Sequence, residues 1–342
     1  MSSPDFSSLH SIFAQKTKKS AKWKSCDYEL EHAASCFEIS PDGSSFAVGD
    51  CEGHLVTLRL SEDGAFVATD ETQRHGSRIT DIAFNPTSDL LATCSNDNKI
   101  EISSFRSDSS TVAGQRGARV SMNDRVRALT FMEDLGNRSS IIFSGVGREI
   151  CITDCCSAST FRTLKGHTGL VTAFCTWGGC LFASSSMDKT IRIWDMRVGD
   201  AVRVFDPLLK PAAIGSSSFH VDGNGRVLVR GDSDGTLRAF DMGSTKEICA
   251  KRVFDKSVLC TRIANSRRFL VTSDEKCICL CDFRDLYQVP LPCNVVKSAE
   301  KCLAIRWHPM RASFATLDAS KLLRLWQCAV TERANDMVSG GS

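Results

Sequence analysis

Short segments of alternating or uniformly apolar residues, separated by polar turns, run along most of the chain. The clearest set lies between Leu164 and Met196. Val171-Thr172-Ala173-Phe174, Leu181 to Ser186 and Ile191-Arg192-Ile193-Trp194-Asp195 read as three strands. A tight turn, Met187-Asp188-Lys189-Thr190, precedes the last of them, and Ala201 to Phe205 supplies a fourth, outer strand. The closing strand recurs. Leu58, Ser103, Thr153, Trp194, Phe240, Cys281 and Trp326 stand in one column, at intervals of roughly 40 to 50 residues, the length of a four-stranded propeller blade.

Two further columns agree with the first. Three residues before each closing strand stand Glu52, Asp97, Gly147, Asp188, Asp234, Glu275 and Ser320, mostly acids, which suits a turn whose side chain caps backbone N–H groups. The preceding strand is apolar on both faces in every copy: Phe46-Ala47-Val48, Leu91-Ala92-Thr93, Ile142-Phe143-Ser144, Phe182-Ala183-Ser184, Val227-Leu228-Val229, Leu270-Val271-Thr272 and Phe314-Ala315-Thr316. Such strands belong in sheets covered on both sides. The pattern therefore predicts an all-β fold, a single seven-bladed propeller over residues 24–330. The Ser- and Gly-rich stretch Ser103 to Gly117 reads as an exposed loop inserted in the second blade, and residues 331–342 as a disordered tail.

Composition narrows the class of function. The chain has 342 residues, and length alone would suggest two domains; the repeat makes it one. Lys plus Arg is 42 against 40 Asp plus Glu, a net charge of +2, which argues against a dedicated nucleic-acid binder. No run approaches the roughly 18 apolar residues of a membrane span. The polar N-terminus lacks the apolar core of a signal peptide. With 17 cysteines, an odd number, the chain is expected in a reducing compartment, with most thiols acting as small buried hydrophobes.

Gly166-His167 and Trp194-Asp195, with the columns around them, resemble the signatures of the WD-repeat family, and the resemblance covers about residues 24 to 330. Within the family the chain is similar to microtubule-associated members. The resemblance implies that the ring is closed by an N-terminal strand, here Lys24 to Leu30. It implies that His167, Ser184, Asp188 and Trp194 form a buried hydrogen-bond network. It also implies that the residue before the turn acid lies on the top face of the ring near the channel mouth. Those positions hold Asn96, Met187, Ser233 and Asp274, and Leu170 should lie beside Met187. The implied role is a non-catalytic scaffold in the cytoplasm, a cytoskeletal adaptor for tubulin or microtubule-associated proteins, with a monomeric propeller. The other reading within the family is a recognition subunit, such as a ubiquitin-ligase substrate receptor or a chromatin peptide reader.

Candidate chemistry adds little beyond this. Ser184, His167 and Asp188 are the side chains of a hydrolytic triad, but His75 and Asp97 echo the pair in the second blade, as a structural device would and an active site would not. Cys277, Cys279 and Cys281 alternate on one strand and converge poorly on a metal; Cys151, Cys155 and Cys156 have no His at ligand spacing. No phosphate-binding glycine loop and no paired-carboxylate signature is present. No catalytic, cofactor or metal site is expected. The arm over residues 1–23 is basic, with Lys16, Lys18, Lys19 and Lys22, and offers an electrostatic contact to an acidic partner.

Overall fold

In the computed structural model, seven small antiparallel sheets stand around a central channel. The structure describes residues 23–328, except 62, 107–110, 113–116, 134–139, 206–218, 265–268, 283–292 and 299. Each sheet is one blade. The innermost strands are Ala34–Ile39, Ile79–Phe84, Val126–Phe131, Val171–Thr176, Phe219–Val221, Cys260–Ile263 and Cys302–Trp307, and each touches the innermost strand of the next blade, the seventh returning to the first. The second strands lie between neighbouring blades and are buried on both faces, which explains why they are apolar on both sides.

The closing-strand column holds in all seven blades, and the second-strand triplets match it except in blade 5, where Leu228 and not Val227 lies opposite Phe240. Leu58, Ser103, Thr153, Trp194, Phe240, Cys281 and Trp326 lie opposite Phe46, Leu91, Ile142, Phe182, Leu228, Leu270 and Phe314 in the second strands. The ring is closed by Trp23–Glu29, which pairs antiparallel with Leu322–Cys328 as the outer strand of blade 7. Trp23 packs edge-on against Phe314 at 5.3 Å, and Tyr28 against Phe66 of blade 1 at 6.2 Å. The strand thus seals an edge that would otherwise be open to another chain.

Two local devices set how neighbouring blades meet. The innermost strands of blades 1 and 2 carry a bulge, after Ala34 and after Ile79, and the extra residue in each is a hydroxyl side chain. Ser35 Oγ donates to Ile79 O of blade 2 at 2.6 Å, and Thr80 Oγ1 donates to Val126 O of blade 3 at 2.6 Å. Glycine then ends the second strand where the next blade crowds in. A Cβ on Gly231 would stand 2.3 Å from Val258 Cγ1. The core is a series of clusters between adjacent blades; one stacks Trp194, Phe182 and Phe143, the last two 4.0 Å apart.

Two expectations need correction. The stretch from Ser103 is not a loop at its start. Lys99–Arg106 is a continuous strand with Ser103 and Phe105 buried, because Phe105 packs on Phe84 across the blade at 5.0 Å. The outer strand of blade 2 is split instead: Ala118–Ser121 pairs with Lys99–Ile102, and Thr111–Val112 pairs with Phe105 and Arg106. The column of turn acids is also offset in three blades, as described below. The predicted arm ended at residue 23, but Trp23 is the first residue of the closing strand; residues 1–22 and the tail from 331 lie outside the described residues.

Candidate functional site

The fourth blade brings His167, Ser184, Asp188 and Trp194 together. His167 sits in the loop entering the blade, Ser184 on the second strand, Asp188 in the turn and Trp194 on the third strand. His167 Nδ1 lies 2.8 Å from Asp188 Oδ2, and Nε2 lies 2.8 Å from Ser184 Oγ. Because the carboxylate can only accept, Nδ1 carries the proton and Nε2 is the acceptor. Ser184 therefore donates to the imidazole and accepts from Trp194 Nε1, at 2.7 Å. Asp188 is further held by Thr190 Oγ1 at 2.7 Å and by the backbone N–H groups of Thr190 and Thr168.

This is the atom order of a hydrolytic triad in a place where it cannot act as one. Ser184 is 0% exposed and His167 6%. The serine proton and lone pairs are committed to the ring and the indole, and no substrate carbonyl can approach Oγ. Burial lowers the pKa of His167, against the pull of Asp188. Burial opposes ionisation of Asp188, but hydrogen bonds from Thr190, His167 and Thr168 outweigh it and hold the carboxyl down at about 2. A neutral imidazole bonded at both nitrogens clamps the entry loop to the turn.

Blade 2 repeats the clamp. His75 Nδ1 lies 3.1 Å from Asp97 Oδ2 and Nε2 2.8 Å from Thr93 Oγ1. Blade 7 keeps half of it, with Trp326 Nε1 donating to Thr316 Oγ1 at 2.9 Å. Thr93, Ser184 and Thr316 occupy the same place, the third residue of each apolar second-strand triplet. That column carries the signal: a hydroxyl where a fully buried strand would otherwise hold valine.

The turn acids fall into two kinds. In blades 2 and 4 a serine opens the turn, Ser95 or Ser186, and accepts from the N–H of the acid two residues later. In blades 1, 6 and 7 the capping residue is not Glu52, Glu275 or Ser320, as expected, but an aspartate one or two positions earlier. Asp50 Oδ1 accepts from the N–H groups of Glu52, Gly53 and His54; Asp274 Oδ1 from Lys276 and Cys277; Asp318 Oδ1 from Ser320 and Leu322. Glu52 and Glu275 project outward; Glu275 pairs with Lys256 at 2.6 Å. A glutamate side chain is too long to fold back onto its own turn, so the shorter aspartate ahead of it takes the role.

This relocation corrects the predicted surface. Asp274 is buried and serves as a turn cap; it is not presented to a partner. Met187 is 45% exposed, and its N–H donates to Leu170 O at 2.9 Å, so the two residues are adjacent, with Leu170 half-buried. Ser233 is exposed and Asn96 half-buried. Lys16, Lys18 and Lys19 lie outside the described residues.

The channel holds what sequence reasoning missed. A cavity of about 260 Å³ is bordered by residues of all seven innermost strands, including Glu38, Asp81, His220, Arg262 and Arg306. Arg306 Nε lies 2.6 Å from Glu38 Oε2. Burial pushes the Asp81 carboxyl up to about 6, opposed by Arg306 and by the Leu129 N–H that Asp81 accepts across to blade 3. Burial, then Arg262 and Arg306, push His220 down to about 3. Burial and Arg306 lower Arg262 to about 10. These residues are far apart in sequence and have in common only that they lie on innermost strands, so no local motif announces them. No helix among the described residues is long and apolar enough to cross a membrane.

Residues 67–102 and 158–195 match the family described as WD domain, G-beta repeat (WD40). Each stretch runs from the outer strand of one blade through the third strand of the next, and each contains one complete His–Asp clamp.

Proposed function

We propose that this seven-bladed WD-repeat propeller is a non-catalytic protein-interaction scaffold, and that it works as a cytoplasmic, microtubule-associated adaptor. The observation that carries the scaffold reading is the commitment of the reactive side chains to structure, while Met187 and Leu170 stand side by side at a turn of the same blade. A large flexible apolar side chain on a rigid rim is a suitable anchor for a partner's apolar residue. The microtubule reading is supported by stretches that resemble the C-terminal propeller of nemitin, a neuronal microtubule-associated WD-repeat protein. These include Ala128-Leu129-Thr130-Phe131-Met132-Glu133 and Asp188-Lys189-Thr190-Ile191-Arg192. Lys16, Lys18 and Lys19 add a basic contact suited to the acidic tails of tubulin.

Co-sedimentation with microtubules tests it. The wild-type protein should pellet, and Met187→Glu, confirmed folded by its melting curve, should lose about 30-fold or more in affinity, the effect of burying a charge at an interface hot spot. Joint replacement of Lys16, Lys18 and Lys19 by Gln should weaken pelleting mainly at low salt. Failure of the wild type to pellet would remove the microtubule reading. Capture of an unrelated partner that Met187→Glu abolishes would then favour a recognition subunit of another complex. The charged cavity at the channel offers that alternative a specificity site.

A further inference from the structure

The linker after the closing strand meets blade 1 at a cluster of imidazoles and carboxylates that the scaffold role does not use. His32, in this linker, stacks on His54, the first residue of the third strand His54–Leu60, with ring centroids 4.9 Å apart and planes at 14°. Glu52, in the turn before that strand, places Oε2 3.6 Å from His32 Nδ1. One nitrogen or oxygen from each of His32, Glu52 and His54 lies within 4.8 Å of the others, and the same holds for Glu31, His32 and Glu71. His32 belongs to both groups. Linker, turn, third strand and outer strand therefore converge on one ring. Beside them is a cavity of about 40 Å³, walled by Glu31, His32, Asp50 and Glu71 among others, with room for a single small ligand such as an ion or a water.

Asp50 organises the cluster from behind. Its Oδ1 accepts the N–H groups of Glu52, Gly53 and His54 at 2.8, 2.7 and 2.8 Å, fixing the backbone that carries two of the three central groups. Its Oδ2 lies 2.9 Å from His54 Nδ1. A carboxylate there selects the tautomer with the proton on Nδ1 and leaves the Nε2 lone pair outward. Imidazoles that ligate metals are held in this way, because the second hydrogen bond fixes the ring and raises its basicity. The clamps of blades 2 and 4 make the contrast. There an aspartate also holds Nδ1, but Nε2 is taken by Thr93 or Ser184. His54 Nε2 has no such protein partner among the described residues.

We propose that His32, Glu52 and His54, with solvent completing the shell, form a site for a borderline divalent transition metal such as Zn²⁺. Two imidazole nitrogens and carboxylate oxygens suit that class; Ca²⁺ and Mg²⁺ prefer oxygen alone. The site has a structural consequence. Leu30 N donates to Lys321 O at 2.9 Å, and Lys321 Nζ donates to Glu31 O at 2.8 Å, so the linker is already tied to the last turn of blade 7. A metal held by His32 and by Glu52 and His54 ties the same linker to blade 1, and so locks the seam at which the ring closes. Coordination through both rings requires His32 to turn out of its stack on His54.

Calorimetric titration of the full-length, EDTA-stripped protein under reducing conditions with ZnCl₂ tests this. One equivalent of Zn²⁺ should bind, Mg²⁺ and Ca²⁺ should not, and binding should weaken in acid, where protons compete with the metal for its ligands. His32→Ala and His54→Ala should each weaken binding tenfold or more, while Cys51→Ser, which removes the adjacent exposed thiol, should leave it unchanged. Zn²⁺ should raise the melting temperature of the wild type and not of His32→Ala, a linker variant whose apo melting curve shows whether it folds. The Co²⁺-loaded protein should lack a thiolate charge-transfer band. The proposal is overturned if the folded wild type takes up no Zn²⁺. Equal uptake by the His32→Ala/His54→Ala double variant, or uptake that depends on Cys51, overturns it as well.

Discussion

At Ser184 one hydroxyl joins three parts of blade 4, accepting from Trp194 and donating to His167. Replacing it with alanine leaves two buried polar atoms unpaired, and Ser184→Ala should cost about 1–3 kcal/mol in urea denaturation. Trp194→Ala should cost about 3–5 kcal/mol, because it also removes the stack on Phe182. Asp188→Ala falls in the smaller range, since it strands His167 Nδ1 and the turn N–H groups without opening a cavity. Equal denaturation midpoints for wild type and all three variants would contradict the clamp. The same chemistry sets the acid limit of stability. Burial lowers the ring pKa of His75, His167, His220 and His308, to about 3 for His220 and about 4 for His308. In the unfolded chain these rings titrate near 6.5, so below that pH the unfolded state binds more protons than the folded one. Their stabilising contribution is complete above about 6.5 and is lost as pH falls through the folded values. Melting temperature should therefore decline from about pH 6.5 downward, before most carboxylates titrate, and a His75→Gln/His167→Gln variant should show a shallower decline. An identical slope would assign the acid sensitivity to other groups.

At the scale of the element, six blades are four-stranded sheets and blade 2 has a split outer strand, and their distinctive features lie where one blade touches the next. Gly231 marks one such contact. A methyl group there meets Val258 Cγ1 at 2.3 Å and Cβ at 2.5 Å. Gly231→Ala should destabilise the protein by about 1–3 kcal/mol through overpacking, and adding Val258→Ala should recover part of that loss. If the double variant is less stable than either single one, the contact is not the cause. Sequence reasoning found the strands but misplaced the acid in the turns of blades 1, 6 and 7. An aligned column cannot distinguish Asp50 from Glu52, or Asp274 from Glu275, because both acids stand in the turn. Side-chain length decides between them, and it does so only against the actual position of the backbone N–H groups.

The whole molecule depends on one non-local pairing, Trp23–Glu29 with Leu322–Cys328. Removing residues 1–30 leaves the last blade with an exposed edge and uncovers Phe314 beneath Trp23. The truncated chain should melt at a lower temperature and self-associate in light scattering, as an unprotected edge strand does. A monomeric truncated protein with wild-type melting would show that closure is dispensable. By contrast Met187→Glu, at a surface side chain, should leave the melting curve within about 0.5 kcal/mol of wild type while removing partner capture.

The sequence by itself determined the number of blades and most of their strands, and the resemblance to the WD-repeat family implied the closing segment. The blades and strands rest on periodic apolar positions and on turn residues a few positions apart, and such short-range patterns fix backbone conformation wherever a repeat can stack on its neighbour. It also determined that His167 and Asp188 belong to one device, because His75 and Asp97 repeat their spacing. Only the tertiary structure decided the rest. It split the outer strand of blade 2, moved Asp274 from the surface into a turn, and gathered Glu38, Asp81, His220, Arg262 and Arg306 around one channel. It brought His32 to His54 across the seam of the ring. For the turn the reason is side-chain length against the position of the backbone N–H groups; for the channel it is that closure of a ring sets distances between residues remote in sequence. A side chain's burial, charge and partners follow from those distances, and no local pattern carries them.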